Sequence, residues 1–139
     1  MSRVPFYGIF DDPESVQTYV NASKEKIGIA ALFVEYLQEN NVAPSSTSIA
    51  DIGCGPGLYY PQLLNMYSQA TITGYDASLP MITAANDNNT STNASFVQKT
   101  IPDLSIPKQY DLIISAATLC CLEDPMSCLL YTSPSPRDL

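Results

Sequence analysis

The run Ile49-Ala50-Asp51-Ile52-Gly53-Cys54-Gly55-Pro56-Gly57 limits what this chain can fold into more than any other part of it. Its first residues read as a strand, and the three alternating glycines read as a tight turn leading into a helix. Glycine lets backbone come close to a ligand without a Cβ in the way, and a helix N-terminus offers N–H groups. Asp76 follows the next strand-like run, Ala70 to Tyr75. A carboxylate there can accept hydrogen bonds from both hydroxyls of a ribose. Together these features predict a nucleoside site. The spacing is Gly-x-Gly-x-Gly, not the Gly-x-Gly-x-x-Gly of dinucleotide enzymes.

The rest of the chain supplies the layers around that turn. Asp12-Pro13-Glu14 is a helix start, with a capping carboxylate, proline at the first helical position and an acid in the first turn. Ile27, Ala30, Ala31, Val34 and Leu37 then recur at helical spacing. This predicts helix to about Asn40, with room for a break near Asn21 to Ser23. Strands are predicted at Ser48–Ile52, Ala70–Tyr75, Ala94–Gln98 and Tyr110–Ser115, the last nearly all apolar and therefore interior. Helices are predicted at Leu58–Ser68, with Pro61 in the first turn, and from the Ser78 cap to about Asn86. Residues Ile101 to Lys108 read as a proline-rich connection, and Leu119 to Cys121 as a turn or short helix. Alternating strands and helices predict a parallel α/β arrangement.

Composition closes off several functions. The chain has 139 residues, enough for one domain. Six basic residues against 14 acidic give a net charge of −8, which argues against a nucleic-acid partner. Without histidine there is no Ser-His or Cys-His nucleophile pair and no His-ligated metal. Cys54, Cys120, Cys121 and Cys128 form no Cys-x-x-Cys pair, so no metal site is expected and reduced thiols are. No run approaches the roughly 20 apolar residues of a membrane span, and no signal-peptide core follows Met1. A cytoplasmic protein is therefore expected.

The end of the chain changes character. Cys128-Leu129-Leu130-Tyr131-Thr132-Ser133-Pro134-Ser135-Pro136-Arg137-Asp138 reads as the translation of a transposase adapter used in sequencing libraries, and residues 128–139 are expected to be a non-native tail. The natural chain would then be cut short near Ser127.

Four segments in order carry a resemblance: Asp51 to Gly57, Gly74-Tyr75-Asp76-Ala77-Ser78, Tyr110-Asp111-Leu112-Ile113-Ile114-Ser115, and Leu122-Glu123-Asp124-Pro125. From about Asp11 to Pro125 the chain resembles a class I S-adenosylmethionine-dependent methyltransferase. The resemblance implies a Rossmann-like doubly wound parallel α/β sheet, of strand order 3-2-1-4-5-7-6 in the complete family. Here only the N-terminal half would be present. Residues 1–47 would form a helical cap and 48–127 a partial cofactor domain, with the fourth strand left as an exposed apolar edge. Low stability and no useful turnover are expected of the chain as written.

The resemblance also assigns roles. Gly53, Gly55 and Gly57, with Cys54 as a small residue between them, would let backbone pass under the methionine part of S-adenosylmethionine. Asp51 would meet its ammonium, directly or through water, and Asp76 its ribose. Ala77 and Ser78 lie where adenine packs, and Ser115 and Ala116 would lie beside the sulfonium. The family often has Gly-Asp after strand three; here Lys99-Thr100 stand there, leaving the N–H of Ile101 for adenine. Many members show His-His after strand four, where this chain has Cys120-Cys121. Methyl transfer needs chiefly alignment, and a well-placed pair can supply roughly 7–11 kcal/mol of the barrier. The catalytic residues stay unassigned, and the acceptor is expected to be a small molecule.

Structural alternatives stand beside these roles. Asp51 can serve as a loop cap and Asp76 as a turn cap of the next helix. Tyr7, Tyr19, Tyr59 and Tyr60 fit either closure over a cofactor or aromatic packing. Two rival functions are a nicotinamide oxidoreductase domain and a non-catalytic nucleoside-binding module. Affinity for NAD separates the first, and turnover with acceptors the second.

Overall fold

The computed structural model describes residues 10–25, 29–100 and 110–116. Its elements in chain order are α1 (Pro13–Glu25), α2 (Ile29–Glu39), β1 (Ser48–Ile52), α3 (Tyr60–Met66), β2 (Thr71–Asp76), α4 (Leu79–Asn88), β3 (Ala94–Gln98) and β4 (Leu112–Ile114). The strands form one parallel sheet of order β3-β2-β1-β4. Strand order reverses direction between β1 and β4, so the sheet has the switch point at which open α/β sheets bind ligands. The expected doubly wound α/β order is present in these four strands.

Local chemistry explains most boundaries. Asp12 caps α1, its carboxylate accepting from the Ser15 N–H at 2.8 Å and the Ser15 hydroxyl at 2.7 Å. Helix runs through Asn21 to Ser23, so no break falls there. The expected helical stretch is described over Pro13–Glu25 and Ile29–Glu39, and residues 26–28 lie outside the described residues. α2 ends at Asn41, whose φ of 48° is left-handed; Asn41 N donates to Gln38 O and Val42 N to Leu37 O. That pair of bonds satisfies the last carbonyls of the helix. α3 is shorter than expected, and Pro61 sits in its first turn. β4 is also shorter, and Ile113, 46% exposed, departs from an interior strand and agrees with the exposed apolar edge expected of this chain. Among the described residues β4 pairs only with β1.

The main core lies on one sheet face, where Ile49, Ile72 and Ile114 meet Val34 and Leu37 of α2, Leu63 of α3 and Ile82 of α4. The cap and the sheet thus share one core. Val16 and Val20 of α1 pack with Met81 of α4. Asp111 fixes the register of β4, since its Oδ2 accepts from Thr47 N (2.8 Å), Thr47 Oγ1 (2.9 Å) and Ser48 N (3.2 Å). These bonds hold the exposed Asp111 carboxyl below its usual range.

Ser78 caps α4 as expected, its Oγ accepting from Met81 N at 3.1 Å. The same hydroxyl donates to the carbonyl of Phe10, pinning the segment before α1 to the start of α4. Ser78→Ala is expected to cost about 1–2 kcal/mol, the upper range for a lost cap. Urea unfolding reads that loss, and Ser78→Thr should recover most of it. No described helix is long and apolar enough to cross a membrane.

Candidate cofactor site

Gly53, Gly55 and Gly57 have φ of 75°, 54° and 65°, a backbone region that side chains disfavour. The alternating glycines therefore let the chain leave β1 in a tight coil. The coil is lashed to β2, with Gly53 N and Cys54 N both donating to Tyr75 O at 2.7 and 3.0 Å. Gly55 N donates to Asp76 Oδ2 at 2.9 Å, and Gly57 N to Cys54 O at 3.3 Å. These loop amides are committed inside the protein. α3 begins only at Tyr60, so a helix N-terminus directly behind the glycines, as anticipated, is not present.

The three glycines are not equivalent. A Cβ on Gly57 would come within 2.8 Å of Asn89 Nδ2 and 3.2 Å of the Phe96 ring. A Cβ on Gly55 would meet nothing within 4 Å. The backbone at Gly55 therefore faces open space, and a ligand can approach it.

Asp51 is fully buried at the end of β1. Tyr59 Oη donates to its Oδ2 at 2.5 Å and Tyr60 Oη to the same oxygen at 3.0 Å. Its Oδ1 is buried without a hydrogen-bond partner, a state it shares, among the described residues, only with Ser48 Oγ. An orphaned buried acceptor of this kind calls for a donor. Burial pushes the carboxyl up to about 6, against the lowering effect of the two tyrosine hydroxyls, and the Asp76 charge adds to the rise. Burial raises the Cys54 thiol as well, with the Asp51 charge second. Cys54 is thus a buried, protonated small residue in the loop.

Asp76, half-buried at the end of β2, joins two loops. Its Oδ2 receives Gly55 N and its Oδ1 receives Ser78 N at 2.9 Å. Asp76 thus closes the turn that leads into α4, while the cap of that helix is Ser78. An ionised carboxylate has about four acceptor positions, so each oxygen can still take a further donor. Burial raises this carboxyl and its backbone bonds lower it.

The remaining predicted residues lie around the same strand ends. Ala77 is exposed, and its carbonyl accepts from Gln98 Nε2 at 3.2 Å. Lys99 N donates to Asp76 O at 2.9 Å, which brings the exposed Thr100 after β3 to this end of the sheet. Ser115 Oγ donates to Ile52 O at 3.0 Å, tying the end of β4 to that of β1. Ile101, Tyr7, Cys120, Cys121 and Glu123 to Pro125 lie outside the described residues. Tyr19 is 45% exposed and edge-on to Phe10 at 5.5 Å. Sequence reasoning missed the tyrosine pair as partners of Asp51, and it missed Gln98. A groove lined by Pro13, Gln17, Leu79, Thr83 and Gln98 contains none of the predicted site residues, although Gln98 bonds Ala77. Among the described residues no group of three or more cysteines, aspartates or glutamates could hold a metal ion.

The four-strand parallel order, the glycine coil and the two strand-end carboxylates define the Rossmann-like fold of class I S-adenosylmethionine-dependent methyltransferases. Comparison with known proteins narrows this: residues 49–130 match the family described as "Methyltransferase domain", and the chain belongs to it. Among its relatives, malonyl-(acyl-carrier protein) O-methyltransferase of Bacillus anthracis is 34% identical over 110 residues, 79% of this chain and 40% of that protein. The enzyme of the same name from Priestia megaterium is 42% identical over 71 residues, 51% of this chain and 26% of that protein. The plantazolicin methyltransferase BpumL in complex with SAH superposes with a TM-score of 0.67 at 28% identity, over 87% of this chain and 48% of that one. The chain spans less than half the length of these relatives.

Proposed function

We propose that the complete protein transfers a methyl group from S-adenosylmethionine to a small acceptor, and that the described residues form the cofactor half of its site. The observations that carry this reading are the buried, partnerless Oδ1 of Asp51 and the open backbone of Gly55, both at the coil that follows β1. An acidic acceptor and a bare backbone suit a nucleoside that bears an ammonium and a sulfonium. A pyrophosphate would meet repulsion from Asp51 instead. When bound, S-adenosylmethionine supplies an electrophilic methyl group on sulfur.

The chain's own residues bind and orient. Asp51 takes the ammonium, Gly53, Cys54, Gly55 and Gly57 carry the amino-acid arm, and Asp76 takes the ribose diol. Ala77, Thr100 and Ile101 flank adenine, and Ser115 lies toward the sulfur. No acid or base is assigned, because alignment supplies most of the acceleration such a displacement needs. For the acceptor, the names of the two enzyme relatives support a carboxylate oxygen as the first chemistry to try.

Calorimetry with S-adenosylmethionine, S-adenosylhomocysteine and NAD tests the cofactor, and binding of NAD alone would sink the reading. Gly55→Ala sharpens it. A left-handed alanine costs roughly 1–2 kcal/mol, yet its Cβ meets no protein atom. The expected result is modest destabilisation with at least a tenfold loss of S-adenosylhomocysteine affinity. Gly57→Ala should show the larger stability loss, because its Cβ runs into Asn89 and Phe96.

A further inference from the structure

We propose that Tyr59 and Tyr60 are positioning residues that clamp one oxygen of Asp51 and so present the other to a primary ammonium ligand. This rests on the cofactor reading above and extends it to two residues next to the glycine coil.

A carboxylate has two equivalent oxygens and can turn about its last bond. Here both phenolic hydroxyls converge on Oδ2, at 2.5 and 3.0 Å, and none reaches Oδ1. Two donors on one oxygen fix the plane of the group and leave Oδ1 as the acceptor still without a partner. The clamp is itself rigid. Tyr60 is fully buried, its ring 4.8 Å from that of Phe96 and 5.6 Å from that of Tyr59. Burial and the Asp51 charge push both phenols up, so each remains an O–H donor across the working pH range.

The clamp also favours the charged form of Asp51. Hydrogen bonds to a carboxylate lower its pKa, while burial and a second carboxylate raise it. Among the described residues the titratable groups acting on Asp51 are Tyr59 and Tyr60 at the start of α3, Cys54 in the coil and Asp76 at the end of β2. None of them is cationic. The two hydroxyls are therefore what opposes protonation until a cation arrives, and a cationic ligand completes the set. An anionic ligand at Oδ1 would be repelled, and a neutral donor would satisfy the oxygen without balancing the carboxylate charge.

The test compares S-adenosylhomocysteine with its desamino analogue, in which hydrogen replaces the ammonium, by calorimetry between pH 5 and 8. Wild type, Tyr59→Phe and Tyr60→Phe are measured on the full chain. Wild type should prefer the amine-bearing ligand at least tenfold at neutral pH, with the preference fading below about 6, where Asp51 takes a proton. Each phenylalanine variant should lose about tenfold in S-adenosylhomocysteine affinity, the order expected for one hydrogen bond to a charged group. Affinity for the desamino analogue should change less than twofold, which also reports that the site is folded. The acid midpoint should move up, since one bond favouring the carboxylate has gone.

Equal weakening of both ligands in both variants would mean that the tyrosines only support the fold, and the proposal would fall. An unmoved acid midpoint would overturn it too. Should Tyr60→Phe bind neither ligand, the less enclosed Tyr59→Phe decides alone. If wild type binds neither ligand, the cofactor reading itself is wrong and the clamp falls with it; equal wild-type affinity for both removes the ammonium.

Discussion

Between about pH 4 and pH 7 the ligand-free chain is expected to lose roughly 2–3 kcal/mol of stability that an Asp51→Asn variant keeps. The sign follows from the direction of the shift. Burial raises the Asp51 carboxyl from 3.8 to about 6, so the folded state holds this proton more tightly than the unfolded state. The resulting stability is fully present below the unfolded value and disappears as pH rises through the folded one. Asp76 is raised and contributes in the same sense, while Asp12 and Asp111 are lowered and act oppositely. Subtracting the curve of the Asp51→Asn variant from the wild-type curve removes Asp12 and Asp111, and leaves Asp51 together with its coupling to Asp76. Urea unfolding at several pH values supplies both curves, and parallel curves would refute the account. The same substitution should weaken S-adenosylhomocysteine binding about 10- to 100-fold, as expected for losing a charge-assisted bond worth about 1.5–3 kcal/mol. Stability and binding thus move in opposite directions at one residue. A fold-supporting aspartate would show no such opposition.

The parts of this fold that could be read from sequence are those decided within a few residues. Asp12, Pro13 and Ser78 mark helix starts through their own side chains, and the structure finds α1 and α4 beginning there. The glycine spacing permits a left-handed coil that other residues would resist, and all three glycines adopt it. The length of β4 was harder to read, because Leu112, Ile113 and Ile114 are equally apolar although Ile113 faces outward. The end of α2 was closely anticipated, yet the left-handed Asn41 that makes it was not.

The site divides along the same line. Asp51, Gly55 and Asp76 could be picked out because their spacing from the coil is local to the motif. The tyrosine pair could not, because contact between Asp51 and residues eight and nine positions later depends on the angle at which α3 leaves the coil. Pairs of adjacent aromatics are common, and only one arrangement aims both hydroxyls at one oxygen. Gln98 was hidden for a similar reason, since its contact with Ala77 exists only once β2 and β3 are paired in register. Asp111 shows the converse: a residue noted for its motif position turns out to fix strand register through Thr47 and Ser48.

Gly74→Ala is expected to be the most damaging single methyl that can be added to the sheet, and its effect should reach Asp51. Gly74 pairs with Asp51 across β1 and β2. A Cβ there would lie 2.5 Å from Tyr60 Oη, 2.8 Å from Cys54 Cβ and 2.9 Å from Cys54 Sγ. Cys54 cannot retreat, because the coil it belongs to is held by Tyr75 O. Tyr60 must therefore move, and in moving it gives up its bond to Asp51. Overpacking of this kind costs about 1–3 kcal/mol, and the lost charged hydrogen bond adds about 1.5–3 kcal/mol. Against this, alanine restricts the unfolded chain and returns about 0.5 kcal/mol. A net loss of about 3 kcal/mol, or roughly 10 °C in melting temperature, is expected. Tyr60→Phe removes the hydroxyl that the new methyl strikes, so the double variant should be less than additive by about 1 kcal/mol or more. Strict additivity would show that the methyl is accommodated elsewhere and that Gly74 is not small for the sake of Tyr60. The glycine two residues before Asp76 would then lose its role as room for the hydroxyl that holds Asp51.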